Sequence, residues 1–226
     1  MTKPPKPAIC FDLDGTLVDT APDLAGAMNA VLAHFGRPRV ETDAVRDMVG
    51  YGARRTIEKG LALTGGGSAA MVDEGLPLFL EHYAANICDQ SRPWDGVEAV
   101  LDALADEAVL SICTNKPEAL ACALVDALGW RERFAAIVGG DTLTMKKPDP
   151  QHLTETIRRS GGDPERAVFV GDSSADSRAA DAAGVPFVLL TCGYADIPLS
   201  EMVAAERVPS FDRLPDALRR AAPAIW

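Results

Sequence analysis

Nowhere in the 226-residue chain do about eighteen apolar residues run together, so no segment has the length of a membrane-crossing helix. The opening Met1 to Pro7 is basic, but no apolar core of signal-peptide length follows before the charged Asp12, and the protein is expected in the cytoplasm. Cysteine is sparse: Cys10, Cys88, Cys113, Cys122 and Cys192 are odd in number, widely spaced and never form a Cys-x-x-Cys pair, which argues against a disulfide framework and a zinc site. Only three histidines occur, His34, His82 and His152, and they do not cluster. Positive charge is short as well, with 22 Lys and Arg against 33 Asp and Glu. The resulting net charge of −11 repels nucleic acid and anionic membranes, and neither is expected as a partner. A small anionic ligand would need locally concentrated positive charge, from a metal ion and a few basic side chains.

Short apolar runs are what the chain does have. Ala8-Ile9-Cys10-Phe11 stops abruptly at Asp12-Leu13-Asp14-Gly15-Thr16, which reads as a buried strand with a charged tip. Similar runs follow at 109–113, 135–138, 167–170 and 186–190, separated by segments of helical period. That alternation predicts an α/β fold, a Rossmann-like doubly wound parallel sheet. A short edge strand at 208–211 and a last helix at 214–222 would complete it. Between Asp19 and Arg92 the period is helical throughout, as in Leu24, Met28, Val31, Leu32 and Phe35. Pro22, Gly36 to Pro38, Gly50 to Gly52, Thr64 to Ser68 and Gly75 are expected to divide this insertion into four or five helices. The core domain is therefore placed at 1–18 and 93–226 and the helical domain at 19–92.

In doubly wound sheets ligands bind outside the carboxyl ends of the strands, so the polar residues that end each apolar run are the candidates. They are Asp12 and Asp14; Thr114, Asn115 and Lys116; Lys147 before Pro148; and Asp172 with Asp176. Asp12 and Asp14 stand two apart on an extended segment, so their like charges would share a face and call for a cation. With Asp172 they form an oxygen-rich set that favours Mg2+ over zinc. Lys147 would neutralise phosphate charge, Thr114 would offer its hydroxyl to a phosphate oxygen, and Gly15 would let the backbone approach closely. The set suits phosphoryl transfer: Asp12 attacks phosphorus, and Asp14 protonates the leaving oxygen and then activates water.

These residues carry a resemblance. The segment Asp12-Leu13-Asp14-Gly15-Thr16-Leu17-Val18-Asp19-Thr20, then Thr114-Asn115-Lys116, Lys147-Pro148 and Gly171-Asp172-Ser173 with Asp176, resemble in order the four motifs of the haloacid dehalogenase superfamily, in its phosphoglycolate phosphatase-like branch. The resemblance implies that the metal is held by Asp12, the backbone carbonyl of Asp14 and Asp172, with Asp176 behind them. It also implies that the helical insertion is a cap over the substrate. In that branch a glycine-flanked cap segment ends in an arginine, as Gly50-Tyr51-Gly52-Ala53-Arg54 does here, so Arg54 joins Gly15, Thr114, Asn115 and Lys147 as a substrate-binding residue. Asp19 is expected to cap the first helix of the insertion.

Asp14 favours a phosphatase over a dehalogenase, because an alkoxide leaving group needs a proton and a halide does not. The expected activity is Mg2+-dependent hydrolysis of a small phosphorylated metabolite, first of all 2-phosphoglycolate, by a monomer or homodimer. Alternatives on the same motifs are a beta-phosphoglucomutase-like phosphotransferase, a pyrophosphatase or a nucleotidase. A non-catalytic binding module would be expected to lack Asp12, Asp14, Lys147 or Asp172, all of which are present.

Overall fold

The computed structural model describes residues 6–226, and the start of the basic opening segment lies outside them. Strand β1 (Ala8–Phe11) is buried at every position. Ile9 and Phe11 pack on one side of the sheet and Ala8 and Cys10 on the other, the two-residue alternation of a strand covered on both faces. The chain continues through β2 (Val18–Asp19), α1 (Ala21–His34), α2 (Thr42–Arg46), α3 (Ala53–Leu63), α4 (Ala69–Ala85) and β3 (Arg92–Pro93). Then come α5 (Val97–Ala105), β4 (Val109–Cys113), α6 (Glu118–Ala127), β5 (Ala136–Val138), α7 (Pro150–Arg159) and β6 (Ala167–Gly171). The last elements are α8 (Ser174–Ala183), β7 (Phe187–Leu190), β8 (Glu206–Val208) and α9 (Leu214–Ala221).

Six strands form one parallel sheet in the order β5-β4-β1-β6-β7-β8. Strand order runs outward from β1 in both directions, so the carboxyl ends of β1, β4 and β6 meet at the centre of one edge. Residues of α5, α6 and α9 cover the face that carries Ile9 and Phe11; Leu153 and Ile157 of α7 and Ala180 of α8 cover the other. The edge strand starts earlier than the apolar run at 208–211 suggests. Pro209 has no N–H to give a ladder, and β8 ends before it.

Helices α1 to α4 bury a cluster of their own, including Met28, Leu32, Ile57, Leu61 and Phe79. Gly75 does not break this bundle as its sequence position suggests. Helix α4 runs through both Gly75 and Pro77, and Val31 of α1 packs where a β-carbon at Gly75 would lie, 2.8 Å from it. The insertion is tied at its root. Strands β2 and β3 pair antiparallel, and the buried Asp23 carboxylate accepts the backbone N–H groups of Gln90 (3.0 Å) and Ser91 (2.8 Å) and the Ser91 hydroxyl (2.6 Å). Trp94 seals the junction, its indole N–H donating to the Gly15 carbonyl at 2.9 Å. Asp19 does not cap α1: Thr20 takes that place without a side-chain bond, and the Asp19 carboxylate instead accepts Arg46 (2.8 Å) and the Tyr194 hydroxyl.

Candidate active site

The Asp12 backbone N–H donates to the Val170 carbonyl at 2.9 Å, which continues the β1–β6 ladder one residue past the strand and fixes the carboxylate at the sheet edge. The chain then doubles back. Gly15 N–H donates to the Val18 carbonyl (2.8 Å), Asp14 bridges to Val18, and Gly15 takes a φ of +85° that only glycine adopts without strain. A β-carbon there would also lie 2.7 Å from the Tyr194 ring. This turn corrects the expectation that Asp12 and Asp14 present their carboxylates to one cation. Strand alternation ends with β1, and the Asp14 carboxylate swings to Lys116, 2.7 Å away.

The cluster that does form joins Asp12, Asp172 and Asp176, whose carboxylate oxygens lie within 4.8 Å of one another, all buried. Asp176 sits in the first turn of α8 and closes a capping box with Ser173, accepting the Ser173 N–H (3.0 Å) and hydroxyl (2.6 Å). Its other oxygen accepts Lys147 Nζ at 2.7 Å. Asp172 accepts the Tyr194 N–H at 2.6 Å and the Thr16 hydroxyl. Lys147, joined to Pro148 by a cis peptide, also stands 2.8 Å from Asp12 Oδ1, but as a charge contact rather than an aligned hydrogen bond. The Lys147 ammonium is the one donor that approaches that oxygen among the described residues.

One ammonium among three buried carboxylates leaves the cluster short of positive charge. Burial, only partly opposed by Lys147, pushes the Asp12 carboxyl up to about 7, and burial with the Asp12 and Asp176 charges pushes Asp172 well up too. Burial alone would lower the Lys147 ammonium; the carboxylates of Asp12 and Asp176 outweigh it and raise it. The donor set therefore fits a hard divalent cation. All the ligand atoms are oxygens, a single ammonium faces three buried carboxylates, and a divalent ion would balance the residual charge. Asp176, with both oxygens engaged, is placed to hold Lys147 and the 171–173 turn.

Above the cluster opens a cleft, partly open to solvent. Its floor includes Asp12, Asp14, Thr114, Asn115 and Lys116, and its roof is drawn from α1, α3, α4 and the 49–52 loop. Thr114 is buried, and its hydroxyl accepts the Lys116 N–H at 3.2 Å. Asn115 also lines the cleft, but its amide donors are spent on the carbonyls of Gly50 (2.9 Å) and Lys147 (3.0 Å), tying the helical roof to the floor. A second tie joins the Tyr51 and Ser174 hydroxyls at 2.7 Å. Gly15 and Lys147 lie below the cleft beside Asp172 and Asp12.

Arg54 is not brought to this place. Ala53 lines the cleft; one residue further along α3, the Arg54 side chain is half exposed and pairs with Asp73 of α4 at 2.6 Å. In its stead the roof contributes Tyr83, whose hydroxyl accepts Lys116 Nζ at 2.6 Å. Tyr83 was not a sequence candidate, and the only signal pointing to it is its spacing of four residues from Phe79, which puts both on one face of α4.

Comparison with known proteins agrees with the geometry. The model of the haloacid dehalogenase-like hydrolase family matches residues 9–190. A phosphoglycolate phosphatase of Mesorhizobium japonicum is 46% identical over 211 residues, covering 92% of this chain and 93% of that protein. One from Caulobacter vibrioides is 44% identical over 214 residues, covering 92% and 89%. Among solved structures, a predicted phosphoglycolate phosphatase from Haemophilus somnus superposes with a TM-score of 0.87 at 30% identity, covering 94% of this chain and 98% of that one. CbbY from Rhodobacter sphaeroides, solved in complex with phosphate, superposes with a TM-score of 0.77 at 26% identity, covering 92% and 96%.

Proposed function

This chain belongs to the haloacid dehalogenase-like hydrolase family, and from that premise we propose that it is a phosphatase hydrolysing 2-phosphoglycolate through an aspartyl phosphate on Asp12. The observation that carries the reading is the buried Asp12 carboxylate at the tip of β1, facing a cleft with Lys147 beneath it and Asp14 beside it. Relatives that share more than 40% of their residues over nine-tenths of the chain, and are named for phosphoglycolate, supply the substrate.

In the first step Asp12 attacks phosphorus and Asp14 gives a proton to the departing glycolate oxygen. In the second, water attacks the same phosphorus, Asp14 takes its proton, and inorganic phosphate leaves with Asp12 restored. Thr114 donates its hydroxyl to a phosphoryl oxygen, and Lys147 favours the ionised form of Asp12 against the effect of burial and offsets charge on the transferred group. Asp12, the Asp14 carbonyl and Asp172 would hold Mg2+, which when bound neutralises phosphoryl charge. Helices α1 to α4 serve as the cap that shields the cleft from water, with residues 1–18 and 93–226 as the core domain.

The test is phosphate release from a panel of esters, with and without magnesium, by the wild type and Asp12→Asn. Magnesium-dependent release led by 2-phosphoglycolate and abolished in Asp12→Asn is expected. A different leading ester would overturn the substrate and leave the chemistry standing; release that survives Asp12→Asn would overturn the nucleophile.

A further inference from the structure

A substrate with a charged leaving group presents two anions to the protein. The phosphoryl end falls to the carboxylate and lysine cluster at the sheet edge, and the other end must be received inside the cleft. The roof offers Leu24, Val49, Ala53, Phe79 and Leu80, and its one threonine, Thr56, points its hydroxyl at the carbonyls of Met48 and Gly52. Among the described residues that line the cleft, Lys116 alone carries a positive charge.

Lys116 is an unusual lysine. Its side chain is 3% exposed, with the ammonium 4.2 Å from the centre of the Tyr83 ring. Of its three donors one goes to Asp14 and one to the Tyr83 hydroxyl, and the third has no acceptor among the described residues. The Tyr83 hydroxyl accepts from Lys116, while its own hydrogen is equally without an acceptor. Two unused donors therefore converge in a desolvated corner where each is worth more than in water.

Their position relative to Asp14 sets what they can hold. The leaving oxygen of the ester must touch Asp14 to be protonated, and Lys116 is bonded to the same carboxylate. In glycolate the carboxylate stands one methylene from that oxygen, within reach of a cation already at Asp14. We propose that Lys116 and the Tyr83 hydroxyl form the carboxylate-binding corner of the cleft and select phosphate esters whose leaving group carries an anion one methylene from the ester oxygen. This rests on the phosphatase reading above and adds to it the groups that choose the substrate. It also answers the loss of Arg54, whose guanidinium is spent on Asp73 outside the cleft.

The test compares kcat/KM for 2-phosphoglycolate with that for 2-hydroxyethyl phosphate, a similar ester lacking the carboxylate, in the magnesium-loaded wild type, Lys116→Met and Tyr83→Phe. The wild type is expected to prefer 2-phosphoglycolate. That preference should fall by roughly 30-fold in Lys116→Met, the size of a lost charge-assisted hydrogen bond, and by a smaller factor in Tyr83→Phe. If both esters decline in parallel in Lys116→Met, the lysine serves only to position Asp14 and the assignment is overturned. Tyr83→Phe keeps the ring and removes only the hydroxyl, so should Lys116→Met fail to fold, an unchanged preference in Tyr83→Phe overturns the corner by itself. A wild type that hydrolyses both esters equally well sinks the substrate reading and the corner together, whereas an intact preference that survives the substitutions sinks the corner alone.

Discussion

The floor and the roof of the cleft are made of opposite materials. The floor is set near strand ends, where buried charges hold one another: Asp12 and Asp176 against Lys147 with Asp172 beside them, and Asp14 against Lys116. The roof is set by helix packing, is mostly apolar, and reaches the chemistry through Tyr83 and through backbone carbonyls such as that of Gly50. The difference teaches where each property resides. Reaction chemistry depends on a few atoms whose loss is severe, and the shape of the roof is spread over many contacts whose individual loss is mild.

The sharpest way to expose that contrast is to remove the charge at the centre of the floor. Lys147→Met leaves Asp12 and Asp176 buried without their counter-ion, and in chelator-treated protein denaturant unfolding should show a loss of about 3–5 kcal/mol, with turnover at least ~100-fold lower when magnesium is restored. A loss under 1 kcal/mol would mean that the carboxylates accept protons or water freely and that the floor is softer than its geometry.

The second way uses pH. The folded Asp12 carboxyl is raised from 3.8 to about 7, so the native state holds a proton that the unfolded chain has released. Stability from this group is complete below about pH 4 and is lost as pH rises through about 7. Without metal, the stability of the wild type relative to Asp12→Asn should therefore fall by about 2–4 kcal/mol across that window, and saturating magnesium should flatten the curve. A difference that rises with pH would contradict the shortage of positive charge on the floor.

The smallest effect is expected at the roof's outer surface. Arg54→Ala breaks an exposed pair with Asp73 and should cost no more than about 0.5 kcal/mol, with kcat/KM for 2-phosphoglycolate nearly unchanged. A loss of tenfold or more would bring the arginine into the cleft during turnover and reassign part of the selectivity to the roof.

The same contrast governs what could be read from the sequence. The floor was legible because an apolar run ending in a fixed polar pattern forces both the strand and the residues at its tip; Asp12, Thr114, Lys147 and Asp172 all stand at the ends or loops expected of them. The direction of the Asp14 carboxylate is not legible, because strand alternation stops with β1 and the chain enters a turn at the glycine that follows. The roof was legible only as helices. A period of 3.6 gives the faces of α3 and α4 but not their rotation about the cleft, and one residue of rotation separates the lining Ala53 from the outward Arg54. The same rotation hides Tyr83, and the place of Asp19 is hidden because its partners, Arg46 and Tyr194, are distant in the chain.

Asp23 grips Gln90, 67 residues further along, and Ser91 beside it. The span between them thus leaves and re-enters the sheet domain through a single knot. For the parent fold, everything inside that knot is a closed parenthesis: its ends are already together, and added length raises the entropy of closing it only as a logarithm. A different set of helices could be written into the parenthesis without disturbing the grammar outside it, so that substrate choice can drift while the hydrolytic apparatus stays as it is.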